Sequence, residues 1–139
     1  NLEIKTYLLQ KQTINMEYHR DFEIEKHAKQ IAVELGMPFD LTRIVCMRSH
    51  GSTSRGTLAR CHAVPRVVQK ALNMEGHYVI EFLSENFDKL SEVEKTKTII
   101  HELMHIPKSM GGGFRQHDFV CAKNVDVMYK RLKLRRADN

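Results

Sequence analysis

Ser91-Glu92-Val93-Glu94-Lys95-Thr96-Lys97-Thr98-Ile99-Ile100-His101-Glu102-Leu103-Met104-His105-Ile106-Pro107 is the stretch around which this chain must be built. Ser91 with Glu94 three positions on is a capping box, and Val93, Ile99, Ile100, Leu103 and Met104 form a wide apolar face. With Pro107 helping to stop it, the segment reads as a helix of about sixteen residues. His101 and His105 then project from one helical face a turn apart. Two imidazoles so placed can bind one Zn²⁺, and the intervening Glu102 can reach a metal-bound water as general base.

Working outward, the upstream sequence supplies a helix and strands. Ile24, Ala28, Ile31 and Leu35 recur at helical spacing over residues 21–35, with Glu23, Glu25, Lys26 and Lys29 outside and Gly36 and Pro38 as the stop. Arg43–Arg48 is a short β-branched run, Ser49–Thr57 is a Ser- and Gly-rich loop, and Leu58–Val64 alternates before Pro65. Residues 66–72 are ambiguous. A turn at Asn73-Met74-Glu75-Gly76 leads into a strand at His77–Leu83. Downstream, Gly111-Gly112-Gly113 favours a reversal, and Cys121, Val125, Met128 and Leu132 mark the stripe of a final helix beginning near Phe119. The order predicts an α+β fold, about three strands in a small, mostly antiparallel sheet packed with three helices, the His-Glu-x-x-His pattern on the second long one.

A catalytic zinc commonly takes three protein ligands and keeps a fourth position open. No Glu follows Glu102, which removes the thermolysin-like arrangement, and one His follows His105, namely His117. Its carboxylate competitors are Asp118, Asp126 and Asp138. Imidazole suits zinc and the glycine loop gives reach, so His117 is preferred. Asp118 is then an acceptor supporting a ligand, or the cap of the last helix. A metzincin would carry Gly at position 108 and His at position 111, where this chain has Lys108 and Gly111. Stabilising an oxyanion needs a further donor, for which Tyr78, His62, Arg60 and Tyr129 are candidates.

The run Thr98–Lys108 with Gly111-Gly112-Gly113 and His117 resembles a metallopeptidase family found in archaea and phages. Ala59-Arg60, Pro65-Arg66-Val67 and Tyr78-Val79-Ile80-Glu81 extend the resemblance over most of residues 43–121. That family is similar to the SprT-like zincins. The resemblance implies a zincin-like fold, His101, His105 and His117 as ligands of one Zn²⁺ per chain, Glu102 as catalytic base, and a peptide or protein substrate. A terminal cysteine zinc ribbon, present in longer SprT-like proteins, has no counterpart here, so the resemblance does not by itself carry over their association with DNA, and nucleic acid is possible as a partner but not favoured.

Length and composition set the remaining bounds. The 139 residues are sized for one domain, with residues 1–15, ahead of Met16, as an extension or arm. A net charge of +5, from 22 basic and 17 acidic residues, is modest. The basic run Lys130, Arg131, Lys133, Arg135 and Arg136 reads first as helix-terminal cations and only second as a phosphate-contacting patch, since no aromatics interleave. Cys46, Cys61 and Cys121 lack disulfide or zinc-ribbon spacing, and a second metal site around Cys61 and His62 is the lesser reading. A reducing, cytoplasmic setting is expected, and no apolar run reaches membrane-spanning length. The alternatives to a plain peptidase are the same triad in a catalytically silent zinc-binding regulatory or interaction protein, and a DNA-associated SprT-like protease.

Overall fold

Ile44, Cys46, Tyr78, Ile80 and Phe82 are all fully buried and recur at every second position, the period of strands with one face turned to a core. They belong to β2 (Ile44–His50) and β4 (Tyr78–Leu83), which pair in parallel with Ile44 opposite Tyr78 and Cys46 opposite Ile80. β1 (Glu17–Arg20) runs antiparallel to β2, and β3 (Ala59–Ala63) runs antiparallel to β4 with Cys61 opposite Ile80. The sheet order is β1-β2-β4-β3. The computed structural model describes residues 2–5 and 15–138, so the reading of 1–15 as an arm falls largely outside the described residues.

The α+β fold and the mostly antiparallel sheet are as the sequence predicts, two of three pairings being antiparallel; the sheet has four strands among the described residues where about three are expected, and its central pairing is parallel. β1 escapes detection because Glu-Tyr-His-Arg is exposed along its whole length and shows no alternation of apolar and polar residues. The parallel pairing arises because β3 and the helix α2 (Arg66–Ala71) intervene between β2 and β4, and β3 takes the outer edge beyond β4. α2 settles the ambiguous segment as a short helix entered from Pro65. A second short helix, α3 (Ser84–Phe87), follows β4 directly.

Three longer helices build the core with the sheet. In α1 (Phe22–Glu34) the Asp21 carboxylate caps the first turn by accepting from Ile24 N at 3.0 Å, and Ile24, Ala28, Ile31 and Ala32 are buried. α4 (Glu92–Met104) is capped by Ser91 as its sequence predicts, and α5 (Ala122–Ala137) packs beside it. Ile99, Ile100 and Leu103 of α4 meet Ile80, Phe82 and Ile31 in one apolar cluster. Each such side chain contributes about 1.5–3 kcal/mol of burial, which fixes the roll of α4. That roll turns His101 and His105 away from the core.

Glu25 corrects the expectation of an outward-facing polar stripe on α1. It is 6% exposed, and its carboxylate accepts from Arg20, Lys29 and the main-chain N–H of Cys46, the last at 2.9 Å. β1 ends opposite Met47, so the next N–H along β2 lacks a strand partner. Glu25 supplies the missing acceptor. Among the described residues no helix is long and apolar enough to cross a membrane.

Candidate metal centre

α4 ends at Met104 with His105 as its C-cap, so the two helical histidines lie in its last turns. Their Nε2 atoms stand 3.2 Å apart. After Pro107 the chain turns through the glycine loop and returns His117, whose ring centroid is 5.0 Å from that of His105 and 5.9 Å from that of His101. One ligand atom from each imidazole lies within 4.8 Å of the others. The glycine loop thus delivers its histidine to the helical pair.

The loop is held from three sides. Tyr78, fully buried on β4, accepts at its hydroxyl from Gly112 N at 3.0 Å and donates to Gly113 O at 2.8 Å. Gln69 Nε2 donates to Gly111 O at 3.1 Å, and the Arg43 guanidinium donates to Met110 O at 2.7 Å. Gly112 adopts φ +115°, and a Cβ there would stand 3.0 Å from Val64 O. Only glycine takes that conformation without strain.

His105 is oriented by the main chain just upstream of His117. Its Nδ1 lies 2.7 Å from Arg115 O, and Arg115 N donates to His105 O at 2.7 Å. A carbonyl can only accept, so Nδ1 carries the proton and Nε2 offers its lone pair to the centre of the triad.

Glu102 is 6% exposed, and its Oε1 lies 4.0 Å from His101 Nε2. Burial pushes its pKa up to about 7. Burial, reinforced by the neighbouring His105 and His117, holds His101 below the ordinary histidine value and therefore neutral near pH 7. The triad and Glu102 open into a cleft of about 300 Å³, bounded by Ala59 and Cys61 of β3 and by Phe114 and Gln116. A larger cavity of about 540 Å³ shares Ala59, His101 and Glu102 and extends along α4 past Thr98, Lys97 and Glu94.

A protein-family model described as "Putative phage metallopeptidase" matches residues 16–133. The chain belongs to that family. No curated protein and no solved structure matches the chain. Family membership makes a metal-dependent peptidase the coarse description, with a protein or peptide as substrate. The three-imidazole cluster is the one group of His, Cys, Asp and Glu side chains among the described residues placed to hold an ion.

The other residues singled out from the sequence of this family member fall in different places. The Tyr78 hydroxyl donates to Gly113 O, which makes Tyr78 the anchor of the loop and removes its proton from the cleft. His62 projects from the sheet face opposite Cys61, where its Nε2 meets Glu81 Oε1 at 2.8 Å; Arg60 approaches the same carboxylate at 3.8 Å and also lines the cleft beside the triad. Alternation along β3 also separates His62 from the thiols, and burial raises the pKa of both Cys46 and Cys61, Cys46 to about 12. Tyr129 lies under Lys97 Nζ at 5.3 Å. Asp118 is exposed and does not cap the last helix, whose N-cap is Cys121. The main chain of Arg115 had no signal in the sequence, because any residue type can present that carbonyl.

Proposed function

We propose that the protein is a zinc-dependent peptidase in which His101, His105 and His117 hold one Zn²⁺ per chain and Glu102 is the general base, residues 16–133 forming a single catalytic domain. The convergence of three imidazoles beside a buried carboxylate carries this reading. Two nitrogens on one tetrahedral ion, each about 2.0–2.1 Å from it, stand about 3.3 Å apart, which the 3.2 Å between His101 and His105 Nε2 fits. The all-nitrogen donor set suits zinc better than magnesium or calcium. When bound, zinc supplies Lewis acidity that makes water nucleophilic near neutral pH and polarises a substrate carbonyl.

The chain's own residues supply the rest. Glu102, with a pKa raised to about 7 by burial, is matched to accept a proton from the attacking water and return it to the departing amine nitrogen. Arg115 holds His105 in the tautomer that leaves Nε2 free. β3 is the sheet edge beside the cleft, whereas β4 is paired on both sides. Leu58 O and Val64 N are turned to β4, so by antiparallel alternation the main-chain groups of Ala59, Cys61 and Ala63 face outward. An extended substrate can add to that edge as a further strand and lay its scissile carbonyl over the triad. Three free cysteines support a reducing compartment.

Metal content and peptide cleavage, measured together on three proteins, test the reading. Wild type and Glu102→Gln should each carry one zinc per chain, with cleavage reduced about 10²–10⁴-fold in the variant. His117→Ala should lose or strongly weaken zinc. Full zinc retention by His117→Ala would move the third ligand elsewhere, and undiminished cleavage by Glu102→Gln would remove the base.

A further inference from the structure

A separate cavity of about 300 Å³ opens on the side of α4 turned from the triad, between the chain leaving α1, the end of α4 and the middle of α5. Its walls are apolar, with Leu35, Met37, Phe39, Met104, Phe119 and Met128 among them. Three of the chain's seven methionines are here, and their unbranched thioether chains can re-pack around different shapes. Met37, Phe39, Phe119 and Met128 are half-buried, packed against the core from one side and open on the other.

Lys108, Arg115 and Arg131 stand at this apolar opening, and no Asp or Glu lines it. Among the described residues none of the three cations forms an ion pair. Instead the Arg115 guanidinium lies 3.3 Å over the Phe119 ring, and Arg131 Nη1 rests 3.8 Å from Met128 Sδ. Two cationic heads are therefore already laid on the walls, with their remaining N–H donors free for a carboxylate. A neighbouring cavity of about 360 Å³ shares Leu35, Gly36 and Arg131 and continues to Leu134 and Arg135 one turn along α5. Of its two carboxylates, Glu34 is held by Arg136 at 2.8 Å and Asp138 lies at the end of the helix. The groove is longer than one side chain.

We propose that this groove docks an acidic peptide segment of a protein partner, placing one bulky apolar side chain between Met37, Met104 and Met128 and its flanking carboxylates on Lys108, Arg115 and Arg131. Charge complementarity selects an acidic occupant, the adaptable walls accept an aromatic or long aliphatic anchor, and the continuation along α5 accommodates a chain. The site is distinct from the catalytic cleft and does not require the metal.

Fluorescence anisotropy of a labelled Glu-Glu-Phe-Leu-Glu-Glu peptide with the intact chain tests the assignment. Lys108→Glu and Arg131→Glu, both at exposed positions, should each weaken binding about tenfold. On the wild-type chain, a probe with Ser-Ser in place of Phe-Leu should bind about tenfold more weakly. Equal binding by the charge-reversed variants would overturn the site. Equal binding of the Ser-Ser probe would reduce it to general attraction by a basic protein and overturn the apolar anchor. Displacement of the peptide by equimolar decanoate would assign the cavity to a small amphiphilic carboxylate instead.

Discussion

His105 and Arg115 are joined twice, His105 Nδ1 donating to Arg115 O and Arg115 N donating to His105 O, both at 2.7 Å. One residue thus fixes the ring of a helical histidine and starts the segment that delivers His117. The contact is wholly main-chain on the Arg115 side.

Arg115→Pro removes the N–H that ties this residue to His105 O and so displaces the Arg115 carbonyl from His105 Nδ1, which should weaken zinc binding about 10–100-fold, the range seen when a ligand's supporting partner is lost. Arg115→Ala keeps both main-chain bonds and should stay within about threefold of wild type. Competition with a chromogenic chelator checks both; equal weakening by the two variants would place the support in the side chain.

Tyr78→Phe deletes one hydroxyl that serves two loop residues. The unpaired Gly112 N–H and Gly113 O should cost about 1–3 kcal/mol, read as a lower urea midpoint of the metal-free protein. Zinc affinity should fall as well, because the anchored loop carries His117. An unchanged urea midpoint would show that the hydroxyl does not anchor the loop.

Metal-free protein should show the pH signature of a raised carboxyl. Glu102 has a pKa near 7 folded against 4.5 ordinarily, so the folded state binds more protons between those values. Its contribution is fully present below pH 4.5 and is lost as pH rises through 7, on the order of 3 kcal/mol across the window. His101, with a lowered pKa, works in the opposite direction, losing stability as pH falls through about 6.5 and below. The clean readout is therefore the difference between wild type and Glu102→Gln in urea titrations from pH 5 to 8. The variant should gain relative to wild type as pH rises; a pH-independent difference would contradict a buried, raised Glu102.

Ala59→Pro tests the edge of β3. The outward N–H disappears while the bonds to β4, made by alternate residues, remain. Zinc content should be unchanged, and kcat/KM for an extended peptide should fall about tenfold, equal to the loss of about one well-made hydrogen bond in a desolvated cleft. A fall in zinc content instead would mean that β3 shapes the triad itself.

The parts readable from sequence were those in which side-chain pattern and local chemistry coincide. Ser91 capping Glu94 N, the apolar face of Ile99, Ile100 and Leu103, and the spacing of His101 and His105 all belong to one helix and need no distant partner. The β-branched run Arg43–Arg48 and the segment His77–Leu83 announce strands but not the direction in which those strands pair, because the hydrogen-bonded ladder is made by the main chain and not by the side chains that mark the strand. β1 was invisible for want of apolar residues. Glu25 read as surface because a carboxylate on a helix ordinarily is, and its three donors come from β1, the next turn of α1 and β2. Tyr78 carries a hydroxyl suited to the cleft, yet that group's partners lie 34 and 35 residues away along the chain.

Those same long reaches bear on the order in which the molecule assembles. The glycine loop is tied to Tyr78 across 35 residues and to Arg43 across 67. The helical pair can meet as soon as α4 forms, whereas the third imidazole arrives only after the sheet has closed, and such distant closures come late and slowly in folding. Zinc fingers fold around their metal; here the loop that carries His117 is tied to Tyr78, Gln69 and Arg43 by hydrogen bonds that need no ion. Chelation should therefore empty this protein without unravelling it, leaving a native chain ready to be reloaded.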